Sequence, residues 1–313
     1  MKNKFETYFE SNVNNGKEKL TIVLGSGFHK SNKLDNLISC WDLLLKKLDS
    51  NFTSQGNYLL DFEQIIINNP SNLQANQVEK NKLKEVAKFV KEVEDGIGLE
   101  NLKQYPTDIF NPDLVSDIII LNFDEVAEKI CKEVLKCKIS RFKFVEIDKN
   151  LKEGAKIHQT TRYRDVSFPT GKSIRFWHPH GSISKPNEMI LSVRNYATHI
   201  SSIERLRKYS KSNSTNKKKT WYDQLTYQPV LIVGASISAA EWDLWSAFVN
   251  RERNFSRAEN IIYRKPIFQM RKIKDDDSKI NSDKSNEQWF KPLFDEQLSF
   301  EKQWEMLVKI FKS

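Results

Sequence analysis

Cysteine is scarce in this chain. Three occur in 313 residues, Cys40, Cys131 and Cys137, and no two stand in Cys-x-x-Cys spacing. That excludes a zinc knuckle. Set in partly apolar, helical-looking segments, the three read as buried, reduced thiols. No apolar run approaches the roughly 20 residues that span a bilayer. The N-terminus, from Met1 to Thr7, lacks the apolar core of a secretory signal. A cytoplasmic protein without membrane contact is expected. There is no internal repeat and no heptad array. Histidine is also rare: five serve the whole chain, and His178 and His180 fall together.

What is present is a balance of 39% hydrophobic and 29% charged residues, that of a soluble globular protein. The length allows a large core in one big domain or two smaller ones. The net charge of +9 raises a nucleic-acid reading. Much of the excess lies in Arg205, Arg207, Lys208, Lys211, Lys217, Lys218 and Lys219, within a Ser/Asn-rich stretch at 201–222. We read that stretch as a solvated basic loop, and contact with phosphates or a partner protein stays open.

Hydropathy patterning predicts an α/β fold. The β-branched run Leu20–Leu24 enters Gly25-Ser26-Gly27, and Leu37–Leu48 follows with the density of an amphipathic helix. Strand, glycine loop and helix open a parallel α/β fold. From about 61 to 110 the pattern turns helical, with Leu83, Val86, Val90 and Val93 at helical spacing, and reads as an insertion beside the sheet. Further strands are expected at Asp117–Leu121, Phe142–Ile147, Ile174–Trp177, Met189–Ser192, Pro229–Val233 and Asn260–Tyr263. A helix is expected from Glu125 to Leu135. A helical C-terminal segment covers 289–313, with an amphipathic helix from Phe300 to Phe311.

In an open parallel sheet, ligands bind beyond the carboxyl ends of the strands. Four such ends carry small or polar residues: Gly25-Ser26-Gly27, Asn122-Phe123-Asp124, His180-Gly181 and Gly234-Ala235-Ser236. Glycine lets backbone N–H groups approach a pyrophosphate, and after His180 it would remove a side chain that crowds a ligand. Each motif has an ordinary alternative, a plain βα turn or, for Asn122 and Asp124, a helix cap.

In this order the four motifs resemble the SIR2 (sirtuin) NAD-binding fold, in particular the SIR2-like proteins of bacterial anti-phage defence. The segments Trp41–Leu45, Met189–Tyr196 and Glu241–Trp245 extend the likeness over about 20–265. The resemblance implies a Rossmann-like fold, a parallel central sheet with a helical insertion in one domain. It implies that Gly25, Ser26 and Gly27, with Phe28 and His29 after them, line the dinucleotide phosphates. By the same likeness Gly234 and Ser236 hold the adenosine side, Asn122 and Asp124 stand beside the nicotinamide ribose, and His180 is the catalytic histidine. His178 is then a packing or supporting residue. The chain departs from the family at Ser26, at His29, in lacking a Pro-Asp-Phe-Arg segment, and in having no four-cysteine module.

The activity implied is hydrolysis of NAD⁺ between nicotinamide and ribose, with NAD⁺ as substrate and no metal. A neutral imidazole accepts a proton from a ribose hydroxyl or water, and an asparagine amide orients the water. Regulation is expected through self-assembly or a co-encoded regulatory or sensor protein. The alternatives are a SIR2-like module that senses NAD or another nucleotide without cleaving it, and a nucleic-acid-binding protein.

Overall fold

The computed structural model describes residues 3–30, 41–54, 56–145, 161–211, 219–235, 237, 241–255, 265–270, 289–294 and 298–313. The described elements run α1 (Lys4–Tyr8), a π-helical turn (Phe9–Asn14), β1 (Leu20–Leu24), α2 (Gly27–Lys30) and α3 (Trp41–Leu48). The insertion supplies α4 (Tyr58–Ile67), α5 (Ala75–Gly96) and α6 (Leu99–Lys103). Then come β2 (Val115–Ile120), α7 (Val126–Glu133), β3 (Lys138–Ile139), β4 (Lys143–Phe144), β5 (Arg162–Ser167) and β6 (Ser173–Trp177). The last part holds α8 (Val193–Lys211), α9 (Trp221–Tyr227), β7 (Val230–Val233), α10 (Trp242–Phe255), β8 (Ile267–Gln269), β9 (Lys291–Pro292) and α11 (Phe300–Lys312).

These strands form one sheet in the order β3-β5-β6-β2-β1-β7-β8-β9, with β4 also paired to β5. From β6 to β9 every pairing is parallel, whereas β5 joins β6, β3 and β4 in antiparallel fashion. The central strands carry apolar residues on both faces because both faces are covered. Period-two alternation sorts them. Leu20, Ile22 and Leu24 of β1, Ile118 and Ile120 of β2, and Leu231 and Val233 of β7 enter one core. Val23, Ile119, Val230 and Ile232 enter the other. The first core is closed by α1, α3, α5, α7 and α11, through residues such as Phe5, Leu45, Val86, Ile130 and Leu307. The second is closed by α8, α9 and α10, through Leu206, Trp221, Leu225, Leu244 and Phe248. Each fully buried aliphatic side chain contributes roughly 1.5–3 kcal/mol. A charge placed at Ile22 or Ile119 would meet no water on either face.

The insertion is helical, as its spacing requires, and its core is continuous with the sheet's. Val78, Leu83, Val86 and Val90 share the first cluster with β1 and β2. Asn57 begins α4 by accepting the Leu59 and Leu60 amides on Oδ1, at 3.2 and 3.4 Å. Glu79 of α5 accepts from Ser192 Oγ and from Asn195 Nδ2 (2.7 Å), which fixes the start of α8.

Three expectations need correction. Met189–Ser192 is buried but is not a strand; its Ile190 amide bonds the His180 carbonyl at 2.9 Å instead. Residues 201–211 of the supposed basic loop are the second half of α8, because Ile203 and Leu206 supply an apolar stripe beneath the charges. The antiparallel strand β5 was not anticipated; its polar sequence suits a strand outside the central parallel sheet. Residues 37–40, 146–147 and 260–263, and Lys217 and Lys218, lie outside the described residues. Among the described residues, no helix is long and apolar enough to cross a membrane.

Candidate active site

Strands β6, β2, β1 and β7 are consecutive and parallel, so their carboxyl ends share one edge of the sheet. In that order the edge presents His180, Asn122, Gly25 and Gly234. The topology thus brings together four motifs separated by more than two hundred residues. Ser236 lies outside the described residues.

The glycines serve one another first. A Cβ on Gly25 would stand 2.6 Å from the Gly234 carbonyl oxygen, and one on Gly234 would stand 2.4 Å from the Phe28 nitrogen. The Gly25 amide donates to the Val233 carbonyl (3.1 Å) and the Gly27 amide to the Gly234 carbonyl (2.8 Å). These two N–H groups are therefore spent on fastening the β1 and β7 turns to each other. Gly181 likewise has a chain-packing reason. Its φ is +91°, and a Cβ would meet the Glu188 carbonyl oxygen at 2.7 Å.

Phe28 turns its ring into the aromatic core against Tyr105, Phe110 and Trp304. His29 is also buried, but it faces the second motif. Its Nε2 lies 3.1 Å from Asp124 Oδ2 and 3.4 Å from Asn122 Nδ2, and its Nδ1 lies 3.1 Å from the Tyr105 hydroxyl. Asp124 Oδ1 meanwhile accepts the Val126 amide at 3.1 Å. Asp124 thus closes the turn leading into α7 with one oxygen and anchors His29 with the other. Asn122, just past the end of β2, meets this pair through His29.

The loop after His180 is tied to the Asn122 motif. Arg164 grips Glu125 with two bonds, at 2.9 and 3.1 Å, and Ser182 Oγ donates to Glu125 Oε1 at 2.7 Å. The Ile183 amide donates to the Phe123 carbonyl at 2.9 Å. Burial would raise the Glu125 carboxyl, but Arg164 and the hydroxyls of Ser184 and Ser182 bring it below its usual range. His178 points elsewhere, its Nε2 2.6 Å from Glu128 Oε1 in the interior.

His180 is the centre of a cluster that the sequence reading did not assemble. Its Nε2 lies 2.7 Å from Asp243 Oδ2, and His199 Nε2 lies 3.1 Å from the same oxygen. Tyr196 donates its hydroxyl to Asp243 Oδ1 at 3.0 Å. Asp243 is wholly buried. Burial would press the His180 imidazole down, but the Asp243 charge outweighs it and raises its proton affinity, helped by Glu241 and the Leu121 backbone. Burial would raise Asp243, yet the two imidazoles hold it well below the carboxylate range. His199 goes the other way: burial lowers it, and Asp243 only partly compensates. The cluster is an imidazole of raised proton affinity, a carboxylate of lowered proton affinity and a second imidazole of lowered proton affinity.

Helix periodicity places these residues. Tyr196 and His199 are three apart in the first turns of α8, and Asp243 lies in the first turn of α10. The signal available in the sequence was an acid in Glu241–Trp245, a segment already singled out. Nothing local shows that this acid meets a histidine 63 residues earlier. All four histidines among the described residues have a carboxylate partner.

His180, His199 and Asp243 also have the ligand types of a metal site, with ligand atoms within 4.8 Å of one another. The two imidazoles and the Tyr196 hydroxyl already engage the carboxylate.

The family model described as SIR2-like domain matches residues 117–287, more than half of the chain. That span holds Asn122, Asp124, His180, Gly234 and Asp243, while the Gly25–Gly27 loop precedes it. No curated protein matches.

Proposed function

Because the chain belongs to the SIR2-like family, we propose that it is an NAD⁺ glycohydrolase, which cleaves NAD⁺ into nicotinamide and ADP-ribose. The observation that carries this reading is the His180–Asp243 pair on the same sheet edge as Asn122. Cleavage of the bond between nicotinamide and C1′ leaves positive charge on the ribose. Water then adds at C1′, nicotinamide leaves with the bonding electron pair, and one proton is released. His180 in its neutral form takes that proton from the water or from a ribose hydroxyl, and Asp243 stabilises the imidazolium that results. Asn122 orients the water by donating and accepting at once.

His29, anchored by Asp124, supports Asn122. The glycine turns at Gly25 and Gly234 shape the floor for the rest of the dinucleotide, with Ser26 beside them. The raised proton affinity of His180 makes it a stronger base that is neutral less often near neutral pH. Cleavage is then expected to increase towards alkaline pH.

The biological role that fits the resemblance is depletion of NAD⁺ during phage infection, as an abortive-infection effector. We expect the chain to be quiet alone and to act after assembling with itself or with a co-encoded partner. The test is nicotinamide release from NAD⁺ by the wild-type chain with and without the products of neighbouring genes. Release that disappears in His180→Ala and Asn122→Ala is the expected result. Intact NAD⁺ under every activating condition, with NAD⁺ binding retained, would replace this reading with that of a sensor module.

A further inference from the structure

We propose that His199 is a positioning residue for the cleavage reaction. It acts through Asp243, holding the carboxylate oxygen that His180 uses and drawing off part of its charge. The inference rests on the reading of His180 as the base, and it requires no contact between His199 and substrate.

The two oxygens of Asp243 keep different company. Oδ1 accepts the Tyr196 hydroxyl at 3.0 Å, and the Asp243 amide points back at that hydroxyl from 3.5 Å. Tyr196 therefore fixes the carboxylate in place. Oδ2 meets His180 Nε2 at 2.7 Å and His199 Nε2 at 3.1 Å. The two rings stand edge to face, with centroids 5.7 Å apart, so both nitrogens converge on one oxygen. An ionised carboxylate only accepts, and each Nε2 must carry a proton to bond it. Two donors on one oxygen divide its negative charge, so each one weakens the hold of the carboxylate on the other.

His199 has no second partner for its ring. It is 3% exposed, its Asp243 contact is the one hydrogen bond of its side chain among the described residues, and its Nδ1 has no partner. A buried nitrogen without a partner is costly, and an apolar ring would avoid that cost. Stability alone therefore gives no reason for histidine here. Burial lowers the proton affinity of His199, Asp243 offsets that only in part, and His180 lowers it further. The pairing disfavours a second charge, so the imidazolium that forms in cleavage is that of His180.

The other titratable groups around the pair are Glu241 just before α10, Tyr196 of α8 and Tyr58 of α4. Burial, with the nearby carboxylates, pushes both phenols up and away from the range in which an imidazole titrates. Glu241 raises His180 with or without His199. Without the His199 donor, Asp243 holds the His180 proton more tightly, and less of His180 is free to act as base near neutral pH.

Two variants test this. His199→Phe keeps a buried ring and removes the donor, whereas His199→Gln restores an amide N–H. NMR titration of the imidazoles in the full chain, with His180→Ala to identify the signal, reads the effect without turnover. His180 is expected to titrate about 0.5–1 pH unit higher in His199→Phe and to return towards wild type in His199→Gln. The acid limb of nicotinamide release follows. Release at a pH on that limb drops about 3- to 10-fold in His199→Phe and recovers at alkaline pH. A His180 titration that stays in place or moves down, or equal behaviour of the two variants, would overturn the proposal. If His199→Phe does not fold, His199→Leu takes its place. A wild-type chain that never cleaves NAD⁺ refutes the proposed activity, while the His180 titration still decides whether His199 acts on His180.

Discussion

Replacing Asp243 by asparagine removes one charge from the interior and keeps its shape. In the wild type the carboxylate takes a 2.7 Å contact from His180, a 3.1 Å contact from His199 and a 3.0 Å bond from Tyr196. The variant still offers one oxygen, so the fold should persist while the His180 contact loses its charge. A hydrogen bond to a charged group is worth about 1.5–3 kcal/mol. If that support acts mainly on the imidazolium formed during cleavage, kcat/KM falls by roughly 10- to 150-fold. The pH profile supplies a second readout. Asp243 raises the His180 proton affinity, so its loss moves the acid limb of kcat/KM to lower pH. Stability follows the same pair. The raised His180 contributes stability that is fully present below its unfolded pKa of about 6.5 and is lost as pH rises through the folded value. The depressed Asp243 contributes stability present above about 3.9, lost as pH falls through its own folded value. The stability gap between wild type and Asp243→Asn is therefore widest in mildly acidic solution and narrows at alkaline pH. Nicotinamide release across pH measures the rate, urea unfolding measures the gap, and NMR titration of the imidazoles reads the pair in a quiescent chain. An unmoved His180 titration, or a gap that grows with pH, would refute the reasoning.

Two further substitutions test the frame around the site. Gly181→Ala forces a side chain into φ +91° and against the Glu188 carbonyl, so it should cost about 2 kcal/mol or more in thermal or urea unfolding. His29→Leu removes the buried contact of the Asp124 Oδ2 oxygen, at about 1–3 kcal/mol. It should also lower kcat more than it raises KM, because Asn122 loses its support. A variant as stable and active as wild type would remove His29 from the site.

Much of the frame was legible because it depends on local pattern. Leu20–Leu24 is apolar at every position, and a strand buried on both faces needs that. Asn122 and His180 each follow a strand, and the rule that ligands gather beyond parallel strand ends places them on one edge. The readings that failed also have local causes. Met189–Ser192 is apolar enough for a strand but is buried as a loop against His180. Residues 201–211 carry enough charge to resemble a loop, yet two apolar residues three apart are enough to seat α8 on the sheet.

The sequence by itself determined the parallel α/β class and the order of the strand-end motifs, because these follow from short-range spacing, while the preference for His180 over His178 came from the family resemblance. Tertiary structure alone decided the company His180 keeps. Asp243, His199 and Tyr196 come from two helices that pack on the second face of the sheet, and no period or motif encodes that meeting. It also showed that the glycine loop fastens β1 to β7, since backbone contacts across 200 residues leave no mark on composition. Side-chain type fixes what a residue can do, but proton affinity depends on burial and on which charges the fold brings within hydrogen-bonding reach.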